Sequence, residues 1–480
     1  MNLAMVLDMA ADGLGDRVAI GSLGDGLSFD ALRRAASRVP GRLAASGAST
    51  VALTDHTGPI VPVALFGAAW AGASYAPLNY RLPETALAQL VERVQPAAVV
   101  DEARTKEWLT DATGDATTTF PEAPERPAIL LFTSGTSAAP KAAVLHHENL
   151  LSYIFNTVEF ASADEDEAVL LAVPPFHVAG VAAVLSSTYA GRRVVPLPNF
   201  SAEAWLRTAR HERVTHAFVV PTMLARIVSV MESDPDARVP TLRHLAYGGA
   251  RMPAPVLERA LRLLPDTGFV NAYGLTETSS TIAVLGPDEH RGAFGGDARA
   301  RARLESVGRP VPGIEVAVVD PDGDALPAGE RGEILVRGAQ VGGGYVDQPS
   351  QLDDEGWLHT GDIGWIDDDG YLFVGGRADD VIIRGGENIS PAEIEDALLR
   401  HPDVTGAAAV GLPDEEWGES VGAMVTLRVD ADGDVDALVV WARETLGSLK
   451  APQVLVVCEE LPTTATGKVL RRQVRDELAR

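Results

Sequence analysis

The sequence predicts a large α/β protein that continues into a β-rich subdomain and a small α+β domain. Three observations predict this fold class. The chain has 480 residues, more than one compact core holds, since domains usually contain about 100–200 residues. Strand-like apolar runs alternate with helix-like segments through its first three quarters, as in sheets covered by helices. From about Arg309, short strand-like runs joined by tight turns replace that alternation.

The alternating part predicts elements at defined places. Its short apolar runs predict strands at 51–54, 97–101, 128–133, 168–173, 194–197 and 217–220. Its longer periodic segments predict helices at 62–73, 202–212 and 255–264. Because the strands are separated by helices, we expect most of them to be parallel to their neighbours.

The segment after residue 309 predicts a β-rich subdomain. Strands are expected at 314–319 and 332–337, and a hairpin at 364–374 with Asp369 and Gly370 in its turn. The stretch 298–303, rich in alanine and arginine, is expected to be an exposed loop.

The last hundred residues predict a small α+β domain. Its first helix should begin after Ser390 as N-cap, with Pro391 in the first helical position and Glu393 completing a capping box. Strands at 407–411 and 422–427 and a helix at 436–445 complete the unit. Two glycines in 375–379 predict the boundary, because glycine tolerates backbone rotation.

Charge and cysteine content exclude several classes of protein. Forty basic and 67 acidic residues give a net charge of −27, which disfavours nucleic-acid and anionic-membrane partners. The single cysteine, Cys458, excludes an internal disulfide framework and a cysteine-rich zinc site, and its apolar neighbours predict a buried strand thiol. The N-terminus shows no secretory signal, and the run 61–77 is shorter than the ~20 apolar residues of a membrane span. We therefore expect a cytoplasmic enzyme.

A loop of small polar residues follows the strand at 128–133. Hydroxyl groups, a glycine and a terminal lysine after a buried strand suit a triphosphate, since N–H and hydroxyl donors surround the oxygens and the ammonium offsets their charge. The loop lacks the Walker pattern, so a P-loop NTPase is not supported. A small-residue surface turn is the alternative interpretation. The candidate ligands are Thr133, Ser134, Gly135, Thr136 and Lys141.

Three further groups of residues suit a nucleotide. Within 271–277, Tyr273 is placed to stack on a base, Thr276 to bond a phosphate oxygen and Glu277 to hold Mg²⁺. The alternative interpretation of this segment is a buried tyrosine followed by a Thr–Glu pair at the start of a helix. Asp362 and Arg377 suit the hydroxyls of a ribose, and Lys468 lies on a glycine turn.

Taken together, these motifs resemble those of the adenylate-forming superfamily of acyl-CoA synthetases, peptide-synthetase adenylation domains and luciferases. The resemblance runs from about residue 20 to about 476 and rests on Tyr273–Glu277, Thr360–Asp362, Gly376–Asp380 and Thr466–Lys468. It implies a multi-layer N-terminal domain of two α/β sheets plus the β-rich subdomain, binding AMP and the acyl group, at 1–376. It also implies a mobile α+β C-terminal domain at 377–480, with a hinge near Asp379.

The resemblance implies two half-reactions that use ATP, Mg²⁺ and coenzyme A. A carboxylate first attacks the α-phosphate of ATP, with Lys468 bridging the two groups, and a thiol then attacks the acyl carbon. Thr276, Glu277 and His177 join Lys468 as implied catalytic residues, with Glu277 holding the metal. The other implied nucleotide contacts come from Gly249, Ala250, Arg251, Asn271, Ala272, Tyr273, Gly274, Asp362 and Arg377, and the pantetheine contacts from Gly385, Gly386 and Glu387.

The resemblance also bears on the acid. His177 stands where amino-acid-activating members carry an aspartate, which disfavours an amino acid; a histidine satisfied within the core is the alternative. The expected acyl-pocket segments, 178–181, 220–223, 247–250 and 279–282, are small and apolar, with Arg251 as the nearby cation. Because a second carboxylate usually calls for paired arginines, we expect a hydrophobic monocarboxylic acid, either a fatty acid or a bulky alicyclic or aromatic one.

The phosphate loop departs from the family pattern, which usually has Thr-Gly in place of Ser137–Ala138 and Gly in place of Ala142. Three hypotheses follow: a complete acyl-CoA ligase, an enzyme limited to one half-reaction, or a non-catalytic relic. The second includes loading of an acyl carrier protein and conversion of a preformed acyl-adenylate to acyl-CoA. The intact motif residues disfavour the relic. We expect a monomer or a homodimer.

Overall fold

The structure is a computed structural model and describes residues 1–110, 116–122, 126–133, 140–234, 236–296, 298–414, 416–428, 431, 434–464 and 468–479. Helices and strands alternate along most of the chain, as the sequence predicts. The helices are α1 (Ala4–Leu14), α2 (Phe29–Ala36), α3 (Val39–Ser46), α4 (Ile60–Trp70), α5 (Glu84–Arg93), α6 (Glu102–Thr110), α7 (His147–Thr157), α8 (Val178–Ala190), α9 (Ala202–His211), α10 (Pro221–Ser233), α11 (Ala254–Leu263), α12 (Pro287–Gly295), α13 (Ala298–Ala302), α14 (Pro391–Leu399), α15 (Val435–Lys450) and α16 (Arg471–Leu478).

The strands of the described residues form four sheets. They are β1 (Val18–Ile20), β2 (Leu27–Ser28), β3 (Thr50–Leu53), β4 (Ser74–Pro77), β5 (Ala97–Val100), β6 (Ile129–Thr133), β7 (Lys141–Leu145), β8 (Ala168–Leu171), β9 (Arg193–Pro196), β10 (His216–Val219), β11 (His244–Gly248), β12 (Gly268–Leu275), β13 (Ser280–Leu285), β14 (Arg309–Pro310), β15 (Glu315–Val319), β16 (Gly332–Arg337), β17 (Gly344–Tyr345), β18 (Leu358–Ile366), β19 (Leu372–Arg377), β20 (Ile382–Arg384), β21 (Glu387–Ile389), β22 (Val404–Asp414), β23 (Gly418–Leu427) and β24 (Val454–Val457).

Two large sheets form the N-terminal domain. One has the order β17-β7-β6-β4-β3-β5 and the other β14-β13-β12-β11-β10-β8-β9-β1-β2. Their central strands are parallel, and antiparallel strands occur towards the edges. Helices α1, α2, α4, α7 and α8 contribute to one core that also takes residues from both sheets, and every residue of α4 is buried. The predicted pair of α/β sheets is therefore confirmed.

Several loops of the N-terminal domain begin at the carboxyl ends of its strands. The chain leaves the carboxyl end of β6 at Thr133, of β11 at Gly248 and of β12 at Leu275. The carboxyl ends of parallel strands are the usual place for a ligand site in α/β folds.

The β-rich subdomain is an antiparallel sheet of order β15-β16-β18-β19 around a core that includes Ile334, Val336, Leu358 and Leu372. The predicted hairpin is present as β18 and β19, and Gly370 in its turn has a φ of 80°. The stretch 298–303, expected to be a loop, instead forms α13 and a following 3₁₀ turn, and the prediction of a loop was wrong.

The C-terminal domain is a sheet of order β21-β20-β23-β22, with β24 on β23, packed against α14, α15 and α16. Cys458 directly follows β24 and is partly buried. Ser390 precedes α14 as predicted, but the capping box is absent, because the Ser390 hydroxyl donates to the carbonyl of Gly375 at 2.9 Å and Glu393 pairs with Lys450. No helix within the described ranges combines the length and the apolar character needed to cross a bilayer.

Candidate active site

A carboxylate, a guanidinium and a phenol meet at the end of the β18–β19 hairpin. Asp362 on β18 is directly opposite Arg377 on β19, and Arg377 Nε lies 3.2 Å from Asp362 Oδ1. The Tyr273 hydroxyl donates to Asp362 Oδ2 at 2.6 Å, across 89 positions of sequence. Three residues predicted separately to contact a nucleotide are thus brought together.

The Asp362 carboxylate is 8% exposed and held in place from several sides. Its backbone N–H donates to the Thr360 hydroxyl, and Arg377 Nη1 donates to the Thr360 carbonyl at 2.7 Å. Burial raises the pKa of Asp362, while Arg377, Tyr273 and Lys468 oppose that rise. A carboxylate fixed in this way presents acceptors for a vicinal diol such as that of a ribose.

The charge of Lys468, in the C-terminal domain, acts on Asp362 of this group. Its backbone closes a tight turn, with the Thr464 N–H donating to the Lys468 carbonyl at 2.7 Å. Packing of protein atoms around the ammonium group lowers the pKa of Lys468 and Arg377 lowers it further, while Asp362 and Asp380 oppose this. The charges of Asp362 and Arg377 therefore act on Lys468, with opposite effects on its pKa.

His177 is placed at the N-cap of α8, where its Nδ1 accepts from the Ala179 N–H at 3.4 Å. Burial lowers the pKa of His177 to about 4, and the Lys468 charge adds to the lowering. The imidazole is therefore neutral at pH 7.

The phosphate end of the site collects residues from three segments. Thr133 ends β6 and Lys141 begins β7, and these two residues are paired across the strands. Tyr345 lies on β17, which pairs with β7, and its hydroxyl donates to Glu277. The Lys141 ammonium lies 5.4 Å from the centre of the Tyr345 ring.

Tyr345 was not predicted to be part of the site. The run of three glycines before it, 342–344, was the available signal, because glycines allow a backbone to approach a neighbouring segment closely. A Cβ at Gly342 would lie 3.1 Å from the carbonyl oxygen of Val144. Burial raises the pKa of Tyr345 and the Glu277 carboxylate raises it further, so the phenol stays protonated.

The turn after β12 has an unusual backbone. Ser279 and Ser280 have φ angles of 57° and 114°, in the left-handed region that non-glycine residues rarely adopt. Gln340, 1% exposed, donates from its side-chain amide to the carbonyls of Thr278 and Thr281 at 3.1 and 2.8 Å. Hydrogen bonds from Gln340 therefore hold the turn that carries Thr276 and Glu277.

The end of β11 carries the predicted residues 249–251. Gly249 has a φ of 79°, and a Cβ at Gly248 would lie 2.3 Å from the carbonyl of Ala272, so the neighbouring strands require glycine there. The Arg251 guanidinium pairs at 2.6 Å with Asp396 on α14 of the C-terminal domain. On β12 itself, the Asn271 side chain donates to the Ser306 carbonyl at 3.1 Å, Ala272 pairs with Gly248, and Gly274 is exposed.

Gly385, Gly386 and Glu387 are not brought to this region. They form the exposed turn of the β20–β21 hairpin, where the Gly385 N–H donates to the Trp417 carbonyl at 2.8 Å. The predicted hinge residue Asp379 lies in a 3₁₀ turn, Ala378–Asp380, between β19 and β20. The chain passes here from the sheet that holds Asp362 to the sheet of the C-terminal domain.

Several predicted residues lie outside the described ranges. These are Ser134, Gly135 and Thr136 of the phosphate loop, its Ser137 and Ala138, and the Thr466–Gly467 part of the last motif. Ala142, where a glycine was expected, is described: it lies within β7, is 3% exposed and does not have a positive φ. Its methyl group therefore causes no backbone strain.

The residues present fit Mg·ATP. The Asp362–Arg377–Tyr273 group offers acceptors and a cation for a ribose. Glu277 offers a carboxylate to a metal ion, and Lys141 offers a cation near it, which suits Mg²⁺ bound through one carboxylate and phosphate oxygens. Lys468, whose charge lowers the pKa of both Asp362 and His177, offers a further cation for a phosphate.

Comparison with known proteins identifies the family. A family model described as AMP-binding enzyme matches residues 7–346, and one described as AMP-binding enzyme C-terminal domain matches residues 393–468. The chain belongs to the AMP-binding enzyme family. As a member of it, the protein is an ATP-dependent, AMP-forming ligase that joins an acid to a thiol.

Relatives in this family span nearly the whole chain. A feruloyl-CoA synthase from an Amycolatopsis species is 35% identical over 94% of both chains. A fatty acid–[acyl-carrier-protein] ligase from Streptomyces coeruleorubidus is 32% identical over 94% of this chain and 91% of its own. The solved structure of o-succinylbenzoate CoA synthetase from Bacillus subtilis, in complex with its acyl-adenylate intermediate, is 28% identical over 98% of both chains with a TM-score of 0.84. The fold of adenylate-forming enzymes and the resemblance noted from the motifs are both confirmed.

Proposed function

We propose that the protein activates a hydrophobic monocarboxylic acid as an acyl-adenylate and transfers the acyl group to coenzyme A. One observation carries the proposal: Asp362, Arg377 and Tyr273 form one hydrogen-bonded group suited to a ribose, and the charge of Lys468 from the C-terminal domain acts on Asp362 and on His177. A cation there lies where an acid carboxylate and the α-phosphate of ATP would meet. It would offset the negative charge that two anions bring together in the transition state.

In the first half-reaction, a carboxylate oxygen attacks the α-phosphorus and pyrophosphate leaves. We assign the ribose to Asp362 and Arg377, and the adenine to the ring of Tyr273, whose hydroxyl is fixed by Asp362. Thr133, Lys141 and Thr276 are assigned to phosphate oxygens, and Glu277 to the metal. Mg²⁺ bound there neutralises triphosphate charge and so helps pyrophosphate to leave.

In the second half-reaction, a thiol sulfur attacks the acyl carbon and AMP leaves. We assign this step to a second arrangement of the domains, reached by rotation near Asp379. The domain boundary at 376–377 is part of this proposal. The exposed turn at Gly385, Gly386 and Glu387 would then replace Lys468 and border the path of the pantetheine arm. The position of Asp379 between two separate sheets supports a pivot there.

The acid is inferred from the character of the expected pocket. Val178, Val220, Met223 and Ile282 are buried and apolar. Arg251 is the cation that the sequence places beside the expected pocket segments. It forms an ion pair with Asp396. A second carboxylate on the substrate would therefore meet little compensating charge, which favours a monocarboxylic acid with a bulky apolar body.

Acid-dependent exchange of pyrophosphate into ATP, over a panel of aromatic and aliphatic monocarboxylic acids, tests the proposal. Ferulic acid belongs in the panel because a relative is named for it. Exchange followed by an acyl-CoA product is the expected result. No exchange with any acid, but acyl-CoA from supplied acyl-adenylate, would instead establish a non-adenylating enzyme.

A carrier protein is the second candidate acceptor, because the relative from Streptomyces coeruleorubidus is named as an acyl-carrier-protein ligase. Exchange without an acyl-CoA product, together with acylation of a phosphopantetheinylated carrier protein, would favour it. Equal product with both acceptors would leave the acyl-adenylate step as proposed and widen the acceptor range.

A further inference from the structure

We propose that Tyr345 is a positioning residue for the first half-reaction: its hydroxyl fixes the Glu277 carboxylate and so prepares the Mg·ATP site. The inference rests on the function proposed above and concerns the metal and phosphate end of that site. It assigns a role to a residue that belongs to none of the motifs from which the family was recognised.

The first support is the contact itself. The Tyr345 hydroxyl donates to Glu277 Oε1. The phenol therefore joins strand β17, which pairs with β7 beside the phosphate loop, to the carboxylate assigned to the metal. A carboxylate with one oxygen already held has fewer rotamers to lose when the other oxygen binds a cation.

The second support is that the backbone around Tyr345 is built to hold this contact. The Gly342 N–H donates to the Glu277 carbonyl at 2.8 Å, three residues before Tyr345. Gln340 bonds the Thr278 and Thr281 carbonyls on the same turn. Strand β17 then pairs with β7, with Tyr345 opposite Ala143. The segment 340–345 therefore hydrogen-bonds to the Glu277 turn on one side and pairs with strand β7 of the phosphate-loop hairpin on the other.

The third support is the neighbouring cation. The Lys141 ammonium lies 5.4 Å from the centre of the Tyr345 ring, within reach of a cation–π contact. The ring can hold this cation near the carboxylate while the hydroxyl holds Glu277. Phenylalanine would keep the ring and its cation contact but lose the hydroxyl, so Tyr345→Phe isolates the hydrogen bond to Glu277.

The variant should affect the two half-reactions differently. The second half-reaction starts from acyl-adenylate, which carries no β- or γ-phosphate and has no pyrophosphate to release. A hydroxyl that serves only the Mg·ATP site should therefore matter for adenylation and for binding of Mg·ATP. It should not matter for AMP binding or for conversion of acyl-adenylate to acyl-CoA.

The test compares wild type and Tyr345→Phe by calorimetric binding of AMP, and of ATP at increasing Mg²⁺. We expect Mg·ATP binding to weaken about 10- to 100-fold, the range for losing a hydrogen bond to a charged group. AMP binding and the rate from acyl-adenylate should stay within about twofold of wild type. Tyr371→Phe is the matched control, since Tyr371 also contacts a glutamate, Glu289 at 3.5 Å, and it should leave all three readouts unchanged.

Two outcomes would overturn the inference. Unchanged Mg·ATP binding in Tyr345→Phe would show that the hydroxyl does not prepare the metal site. Equal weakening of AMP and Mg·ATP would show a general structural role. Failure of wild type to exchange pyrophosphate with any acid would instead count against the proposed function, while the binding comparison would still judge Tyr345 on its own.

Discussion

At the scale of single residues, Lys468 offers the sharpest test of the proposed chemistry. Its charge lowers the pKa of Asp362 and of His177 in this arrangement of the domains. Lys468→Ala should lower acid-dependent pyrophosphate exchange by at least about 100-fold, a typical loss for one group that stabilises transition-state charge. Formation of acyl-CoA from supplied acyl-adenylate should stay within about threefold of wild type.

Arg472→Ala is the control for Lys468→Ala, because it removes an exposed cation four residues further along the chain. It should change neither half-reaction. Equal loss of both half-reactions in Lys468→Ala would contradict the role assigned to the lysine and point to damage of the C-terminal domain.

A second residue-scale prediction concerns pH and His147. This side chain is 4% exposed, its Nδ1 accepts from the Leu3 N–H at 3.1 Å, and burial lowers its pKa to about 4. Between pH 6.5 and 4 the unfolded chain binds a proton at this site that the folded chain does not. The free energy of unfolding should therefore fall as the pH falls through that window, by about 3 kcal/mol from this histidine.

Urea unfolding of wild type and His147→Gln between pH 4.5 and 7.5 measures the effect. The stability advantage of wild type over the variant should shrink as the solution is acidified. His211→Gln, at an exposed position, should keep the pH slope of wild type. An advantage that is independent of pH would mean that His147 is not held neutral in the folded protein.

At the scale of helices and strands, the local pattern predicts most of the N-terminal sheets. Strands such as β3 and β10 are short apolar runs with turn residues at their ends, so their signal is local. Tyr345 escapes prediction because its role comes from the pairing of β17 with β7, about 200 positions earlier, and no local pattern records that pairing. The capping box at Ser390 fails for a related reason, because the hydroxyl is used by Gly375 outside the helix.

The turn between β12 and β13 gives an element-scale prediction. Ser279 has a φ of 57°, is fully buried, and its hydroxyl finds no hydrogen-bond partner within the described part of the chain. Glycine adopts this backbone without the steric cost that a Cβ brings. Ser279→Gly should therefore be more stable than Ser279→Ala by about 1 kcal/mol, as measured by chemical denaturation.

The alanine variant is the matched comparison, because both changes remove the hydroxyl and only one removes the Cβ. A less stable glycine variant would show that the turn is not strained at this residue. The serine pair gives no sequence signal of a left-handed backbone, which is why this turn was not predicted.

At the scale of the whole molecule, the sequence predicts two domains but not the contacts between them. Contacts between the domains among the described residues include the pair Arg251–Asp396, the bond from Ser390 to Gly375 and the exposed pair Arg226–Glu460. No local pattern in the sequence marks these partners, so only the family resemblance suggested that the domains meet. Arg251 is itself one of the predicted nucleotide contacts.

The last prediction is that the Arg251–Asp396 pair favours the arrangement that delivers Lys468. The Asp396 side chain is 20% exposed and its pair with Arg251 spans 2.6 Å, so its loss should matter more than loss of an exposed pair. Asp396→Asn should lower the ratio of the first to the second half-reaction by about 3- to 10-fold, which corresponds to about 1 kcal/mol of domain preference. Glu460→Gln breaks the Arg226 pair, whose side chains are 64% and 76% exposed, and should leave the ratio unchanged. Distances between spin labels on the two domains should broaden only in Asp396→Asn. A lower ratio without that broadening would assign the effect to Arg251 at the nucleotide, and not to the balance between domain arrangements.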